Sequence, residues 1–218
     1  AAIIACARRE SPEFTALITE LVLRHGVTIE PFFFDFENLE AVKDATRRIV
    51  QGRSQIDILV NNAGTASGAL FQMTPVQELK RVFEINFFNQ IVFTQGICRL
   101  MVRRKSGSIV NIASTAALNC DPGMLAYGAS KAALVHATRV MAAELGSVNV
   151  RVNAVAPNIT KTDMYDQMEA KARDRLIQSS ALKRAAEPRE VAGAVLYLAS
   201  DLSAYVTGHV MVLDGGRA

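Results

Sequence analysis

Residues 107–157 read GSIVNIASTAALNCDPGMLAYGASKAALVHATRVMAAELGSVNVRVNAVAP, and this stretch decides the fold. It opens and closes with apolar segments, 108–113 and 148–156, which predict buried strands. Between them, 125–145 has the length and apolar content of a helix, which Gly146 would end. A strand, a helix and a second strand in this order predict two parallel strands of one sheet.

The same alternation continues on both sides of this unit. Further strands are predicted at 2–7, 27–34, 56–60 and 209–213; the first and third are expected to be buried, the third on both faces. Further helices are predicted from Ser11 to Gly26, from Asn38 to about 50, over 75–105 in two segments, and from Pro188 to about 200, with partly helical structure over 158–184. The sequence therefore predicts an α/β, Rossmann-like fold, one open and doubly wound parallel sheet between two layers of helices.

Composition excludes several classes of protein. Half of the 218 residues are hydrophobic and 21% are charged, which excludes a disordered or collagen-like chain and fits one domain over residues 1–218. The net charge is +3, from 24 Lys and Arg against 21 Asp and Glu, which argues against nucleic acid as the main partner. Cys6, Cys98 and Cys120 lie far apart, so we expect neither disulfides nor a metal site, and a cytoplasmic location. No apolar run is long enough to cross a membrane.

Three polar features stand where open α/β sheets place their ligands. Asn61-Asn-Ala-Gly64 follows the strand at 56–60, and its small residues would let a ligand approach the backbone. Ser114 follows the strand at 108–113, and Asn86 lies inside a predicted helix, where Asn is a mediocre helix former. Taken singly, each has a simpler explanation: an Asn-rich turn, a turn serine and a structural hydrogen bond.

Tyr127 and Lys131 stand four residues apart near the start of the helix at 125–145. This spacing places the phenol and the ammonium on one helix face. A neighbouring cation lowers the pKa of a tyrosine, so Tyr127 could exchange a proton with an alcohol oxygen. Taken alone, most pairs with this spacing are solvated surface pairs.

In this order on alternating strands and helices, these features resemble the short-chain dehydrogenase/reductase family. The resemblance covers nearly the whole chain and includes Arg151-Val-Asn-Ala-Val-Ala-Pro157, Thr162-Asp-Met164, and Tyr205-Val-Thr-Gly208 leading to Asp214-Gly-Gly216. Within the family, the sequence most resembles the 3-oxoacyl-(acyl carrier protein) reductases. The resemblance implies an NAD(P)-dependent oxidoreductase that interconverts a ketone and a secondary alcohol.

The resemblance also implies roles for four residues. Tyr127 would be the general acid in reduction, and Ser114 would hold the substrate carbonyl oxygen. Lys131 would lower the pKa of Tyr127 and bind the nicotinamide ribose. Asn86 would organise a water molecule in the proton relay.

A nicotinamide cofactor is implied in the same way. Its contacts would come from Arg8, Asp35, Phe36, Asn62, Ala63, Gly64, Tyr127, Lys131, Pro157, Thr160 and Thr162. Asp35 would contact adenine, although it could instead be a turn residue. Arg8 or Arg9 would face a ribose 2′-phosphate, since no acid stands there to bind a 2′-hydroxyl; the alternative is an exposed arginine pair. NADP(H) is therefore expected rather than NAD(H).

Two departures from the family pattern lead to separate expectations. The family fold begins with a strand, a glycine-rich turn and a helix, whereas this sequence begins at what matches the second strand. We therefore expect a molecule longer than the printed sequence. Without a strand between those at 2–7 and 56–60, we expect the sheet to divide.

Asn158 stands where the family has a glycine, and asparagine is the residue that next best tolerates a positive φ there.

The substrate is indicated less sharply. Leu118, Met124, Met164 and Met168 suggest a partly apolar pocket, although they could simply pack the loops. The basic cluster at 103–105 would meet an acidic acyl carrier protein, or would only complement a helix dipole. The alternatives are another carbonyl substrate, such as a sugar, a steroid or a xenobiotic ketone, and a non-catalytic scaffold protein. The family resemblance also implies a homotetramer, assembled through 125–145, whose small residues allow close helix packing, and through the strand at 209–213; ordinary packing on the sheet explains part of the alanine content.

Overall fold

The computed structural model describes residues 2–53 and 55–217. Ala1, Ser54 and Ala218, which fall inside the predicted domain of residues 1–218, lie outside the described residues. Six strands are described: β1 (Ala2–Ala7), β2 (Thr28–Phe33), β3 (Ile58–Asn61), β4 (Gly107–Ile112), β5 (Val150–Pro157) and β6 (Val210–Leu213). The helices are α1 (Pro12–His25), α2 (Leu39–Gly52), α3 (Val76–Phe83), α4 (Asn89–Arg104), α5 (Leu125–Leu145), α6 (Asp163–Asp166), α7 (Ala170–Ser179) and α8 (Pro188–Ala199).

The strands form two parallel sheets. One contains β1 and β2, with Ala2 opposite Thr28, and the other has the order β3-β4-β5-β6. The predicted α/β class, with parallel strands and flanking helices, is confirmed, and so is the expected division between the strands at 2–7 and 56–60. In the described part of the chain, β1 and β3 share no ladder of backbone hydrogen bonds.

Burial is greatest at the two central strands of the larger sheet. Ile109 and Val110 of β4 and Val152 of β5 are completely buried. The prediction that β3 is buried on both faces is wrong, because Ile58 and Val60 are 48% and 40% exposed. Leu59, between them on the other face of the strand, packs in an apolar cluster with residues of α4. The prediction of a buried β1 is also wrong, since its residues are exposed or half-buried.

The helix boundaries follow from local chemistry. Ser11 caps α1 by accepting a hydrogen bond from the Phe14 amide at 3.2 Å, and Gly26 ends the helix with a φ of 61°. Asn38 caps α2 in the same way, through the Ala41 amide at 3.1 Å. The helical stretch predicted at 75–105 consists of α3 and α4 joined by a π-helical turn, Glu84–Phe88. Such turns often occur at functional sites, and this one carries Asn86.

Helix α4 connects the two sheets. Its Phe93 ring stacks on Phe34, which follows β2, and the same apolar cluster contains Leu59 of β3. Asn89 Nδ2 donates to the carbonyl of Phe36 at 2.7 Å, and the next residue, Gln90, donates to the carbonyl of Ala63. The loops that follow β2 and β3 therefore meet at the N-terminus of α4.

Candidate active site

The carboxyl ends of three neighbouring strands define one edge of the larger sheet. Asn61 ends β3, Ser114 follows β4, and Pro157 ends β5. Because β3, β4 and β5 are consecutive and parallel, the segments that follow them lie side by side. This is the edge at which open α/β sheets bind their ligands.

Asn86 is fully buried and joins two of the predicted motifs. Its Oδ1 accepts a hydrogen bond from the Thr65 amide at 2.8 Å, and its Nδ2 donates to the Thr65 carbonyl at 2.9 Å. The same Nδ2 donates to Ser130 Oγ at 3.0 Å. The π-helical turn therefore holds the segment after Gly64 against α5, next to Lys131.

Lys131 is a buried cation. Its Nζ donates to the Ile112 carbonyl at 2.7 Å, and burial lowers the pKa of Lys131 to about 8. An ammonium has three donors, so it can bond further groups such as sugar hydroxyls. A Cβ atom on Gly64 would lie 3.4 Å from both Lys131 Nζ and Asn86 Oδ1, so the Gly64 backbone lies beside both side chains. This donor set fits the ribose that the family resemblance places here.

Tyr127 is partly buried beside Ser114. Burial raises the pKa of Tyr127, and a hydrogen bond with Ser114 offsets part of that rise. Burial outweighs the other influences on the phenol, so the net pKa of Tyr127 is raised, and the lowering of that pKa by Lys131 stays a prediction. A neutral phenol is the form that can donate a proton to an oxygen. Ser114 Oγ also accepts from the Ala116 amide at 3.2 Å, which fixes the position of the hydroxyl.

The residues predicted at the adenosine side gather around the loops after β1, β2 and β3. Asn62 is exposed and Ala63 is half-buried. Phe36 packs against Phe34 and Phe93, with its carbonyl bonded to Asn89. Asp35 Oδ1 accepts from the Glu37 amide at 2.9 Å, which is the turn role left open by the sequence. Arg8 and Arg9 are exposed at the carboxyl end of β1.

The residues predicted at the nicotinamide side follow β5. Thr160 pairs with Ala186 in an isolated parallel bridge, and Thr162 lies at the start of α6, where its Oγ1 donates to the Thr160 carbonyl at 3.3 Å. Asn158 does not need the positive φ expected there. Among the described non-glycine residues, positive φ occurs at Lys105, Asn149 and Lys183. The Asn158 amide instead donates to the Leu213 carbonyl at 2.9 Å.

The predicted substrate-side residues are partly open to solvent. Leu118 and Met164 are exposed, whereas Met124 and Met168 are half-buried. In the basic cluster at 103–105, Arg104 pairs with Asp57 at 2.8 Å and Lys105 ends α4 with a φ of 53°. These contacts leave both interpretations of the cluster as predictions.

Three residues near the site were missed from the sequence. They are Ser130, Asn89 and Gln90, all of them buried. Polar residues inside a predicted helix were the available signal, since buried amides and hydroxyls require partners.

Among residues 2–53 and 55–217, no helix has the length and hydropathy needed to cross a membrane. The same residues contain no group of three or more His, Cys, Asp and Glu side chains that could hold a metal ion.

Comparisons with known proteins agree on one family. A family model described as enoyl-(acyl carrier protein) reductase matches residues 1–218. A 3-oxoacyl-[acyl-carrier-protein] reductase of Thermotoga maritima is 37% identical over 188 residues, which is 86% of this chain and 76% of that protein. An acetoacetyl-CoA reductase of an Acinetobacter species is 36% identical over 182 residues, 84% of this chain and 73% of the relative. A solved structure of a 7α-hydroxysteroid dehydrogenase, complexed with NADH and 7-oxo glycochenodeoxycholic acid, matches this chain with a TM-score of 0.90 at 26% identity. The match covers 100% of this chain and 85% of the other.

Proposed function

The chain belongs to the short-chain dehydrogenase/reductase family, whose members use a nicotinamide cofactor to interconvert CH–OH and C=O groups, and from this premise we propose that it reduces the ketone of a 3-oxoacyl thioester. The acyl group would be carried by acyl carrier protein or by coenzyme A. The names of the relatives support this substrate class, since one is a 3-oxoacyl-[acyl-carrier-protein] reductase and another an acetoacetyl-CoA reductase.

The observation that carries the proposal is the convergence of four side chains at one edge of the sheet. Ser114 lies beside Tyr127, Asn86 bonds the residue next to Lys131, and Gly64 lies beside both Asn86 and Lys131. These residues come from the ends of two strands, a π-helical turn and one face of α5. A purely structural cluster would not require a partly buried phenol beside a positioned hydroxyl.

In the proposed reaction, Ser114 Oγ donates a hydrogen bond to the substrate carbonyl oxygen and fixes its position. Tyr127 gives its phenolic proton to that oxygen as the alcohol forms. When bound, the nicotinamide supplies the hydride. Lys131 holds the ribose hydroxyls and stabilises the phenolate left on Tyr127. Asn86 holds the Thr65 segment and organises a water molecule that returns the proton.

We also propose NADP(H) as the preferred cofactor. Arg8 supports this preference, since an exposed guanidinium after β1 can bond a ribose 2′-phosphate. Asp35, Phe36, Asn62 and Ala63 would line the adenosine side. The nicotinamide side would be formed by Pro157, Thr160 and Thr162.

Several features remain predictions attached to this function. They are a single domain over residues 1–218, a homotetramer, a cytoplasmic location and contact with acyl carrier protein. Another carbonyl substrate, such as a steroid, is the second candidate, because a 7α-hydroxysteroid dehydrogenase has so similar a backbone.

The test combines cofactor binding with turnover. The protein is titrated with NADPH and assayed with acetoacetyl-CoA, a steroid ketone and a sugar ketone by following NADPH absorbance. We expect Tyr127→Phe to remove turnover while leaving NADPH affinity unchanged. Tyr205→Phe removes the same hydroxyl from an exposed tyrosine and is the matched control.

Normal turnover by Tyr127→Phe would refute the assigned acid. No NADPH binding by the unaltered protein at millimolar concentration would favour the scaffold alternative. Faster reduction of the steroid or sugar ketone than of acetoacetyl-CoA would replace the proposed substrate class.

A further inference from the structure

The segment between Ser114 and Tyr127 carries one proposed reacting group at each end, and its middle is open. A short helical turn, Thr115–Ala117, is followed by residues 118–124, of which Leu118 and Cys120 are exposed. We call residues 118–124 the substrate loop. From outside, the Ala69 amide donates to the Gly123 carbonyl at 3.0 Å. Ala69 also forms an isolated parallel bridge with Met124, so in the described part of the chain these backbone contacts hold the C-terminal end of the loop. Side chains can hold the part before Gly123.

Arg217 supplies such a contact from the far end of the described chain. Its Nη1 donates to Asp121 Oδ2 at 3.0 Å and its Nη2 to Asp121 Oδ1 at 2.6 Å. The arginine side chain is 16% exposed and the aspartate side chain 29%, so solvent screens this pair less than an ordinary surface pair. A two-pronged guanidinium–carboxylate contact also fixes the relative orientation of its partners.

The backbone around Arg217 is itself anchored. Ser180 and Arg217 form an antiparallel bridge, and the amides of Ala181 and Leu182 donate to the carbonyls of Gly216 and Gly215 at 3.1 and 3.0 Å. The two glycines have φ values of 76° and 65°, which side-chain-bearing residues rarely adopt. Arg217 therefore lies in a C-terminal segment that is bonded to the residues after α7, and its side chain reaches the substrate loop.

We propose that Asp121 and Arg217 are positioning residues that hold the substrate loop in place for substrate binding, so that the C-terminal segment controls substrate affinity. This inference rests on the proposed reductase function. The contact reaches the loop that joins Ser114 to Tyr127, while the loops assigned to adenosine contact α4. Loss of the pair should therefore weaken substrate binding and leave cofactor binding unchanged.

The test compares Asp121→Asn, Arg217→Met and the charge-swapped double variant Asp121→Arg/Arg217→Asp. Each single variant should raise the KM for acetoacetyl-CoA about tenfold, the loss expected for a charged hydrogen bond, with kcat changed less. The NADPH Kd should stay within about twofold, a change far smaller than that loss. The double variant should recover part of the lost affinity. Arg81→Met is the matched control, because Arg81 forms a similar two-pronged pair with Glu78 on α3.

A readout independent of turnover uses limited proteolysis. Cleavage within residues 118–124 should be faster in both single variants than in the unaltered protein and in Arg81→Met. Unchanged KM and unchanged cleavage, a double variant no better than the singles, or a parallel loss of NADPH affinity would each overturn the inference. If Arg217→Met does not fold, Arg217→Lys keeps the charge without the two-pronged contact and should show the same KM effect. An unaltered protein that binds NADPH but reduces no carbonyl would instead count against the proposed function.

Discussion

Replacing Lys131 with methionine should remove a pH dependence from the stability of the protein. Lys131 is 3% exposed, and burial lowers its pKa from 10.5 to about 8. Between these two values, the unfolded chain binds a proton that the folded protein has released, so stability rises with pH. Below pH 8 both states are charged, and the folded state carries the full cost of the buried cation.

The size of the effect follows from the two pKa values. A pKa shift from 10.5 to about 8 means that, at low pH, the buried ammonium lowers the free energy of unfolding by about 3 kcal/mol. Between pH 7 and pH 9.5, loss of the Lys131 proton removes part of this cost and raises the free energy of unfolding by about 2 kcal/mol. The unaltered protein should gain this amount relative to Lys131→Met, in which no ammonium titrates.

The assay is urea unfolding at pH 7 and pH 9.5, under reducing conditions and at one protein concentration. Other titrating groups are common to both proteins, so their contributions cancel in the comparison. Lys80→Met is the control, since Lys80 is exposed on α3 and its ammonium stays in water in either state. Equal pH dependence in Lys131→Met and the unaltered protein would refute the assignment of a buried, charged Lys131.

Three further changes have defined outcomes. Gly128→Ala should destabilise the fold by about 1–3 kcal/mol, because the new Cβ would lie 2.7 Å from the Ala116 carbonyl oxygen. Gly193→Ala is the control, since a Cβ there would meet nothing within 4 Å, and it should not lower the melting temperature measured by thermal unfolding. Arg8→Ala should weaken NADPH binding and so lower the ratio of NADH Kd to NADPH Kd about tenfold, because the 2′-phosphate loses its guanidinium partner. Fluorescence titration measures both constants, and an unchanged ratio would mean that Arg8 does not contact the cofactor. Ser130→Ala should lower the free energy of unfolding by about 1 kcal/mol, since Asn86 Nδ2 loses an acceptor; no change in urea would contradict that role.

Local patterns were sufficient to predict most of the fold. Helix α5 spans Leu125–Leu145, the predicted range, because a small-residue apolar segment ends at Gly146. The caps at Ser11 and Asn38 were predictable, since a helix start needs a side-chain acceptor within three residues. The exposure of Ile58 and Val60 was not, because an apolar run indicates a strand without showing which faces are covered.

The candidate site was predictable where it follows strand ends and not where it depends on distant partners. Ser114 and Gly64 lie at carboxyl ends of strands, as the alternation predicts. Arg217 and Asp121 are separated by 96 residues, and their pairing leaves no local pattern. The raised pKa of Tyr127 depends on burial by the folded chain, which the spacing to Lys131 does not contain.

The contacts at the N-terminus of α4 join the two sheets, and we expect this junction, here called the seam, to open before the sheets themselves unfold. In the described part of the chain, β1 and β2 join the larger sheet through side chains such as Phe93 and Asn89 and not through a strand ladder. Amide protons of β4 and β5, buried between neighbours, should exchange with solvent only on global unfolding, whereas those of β1 can exchange through a smaller opening along the seam. A molecule that touches the loops after both β2 and β3 holds the two sheets together, so its binding would slow amide exchange in β1 and β2, including residues that it does not touch.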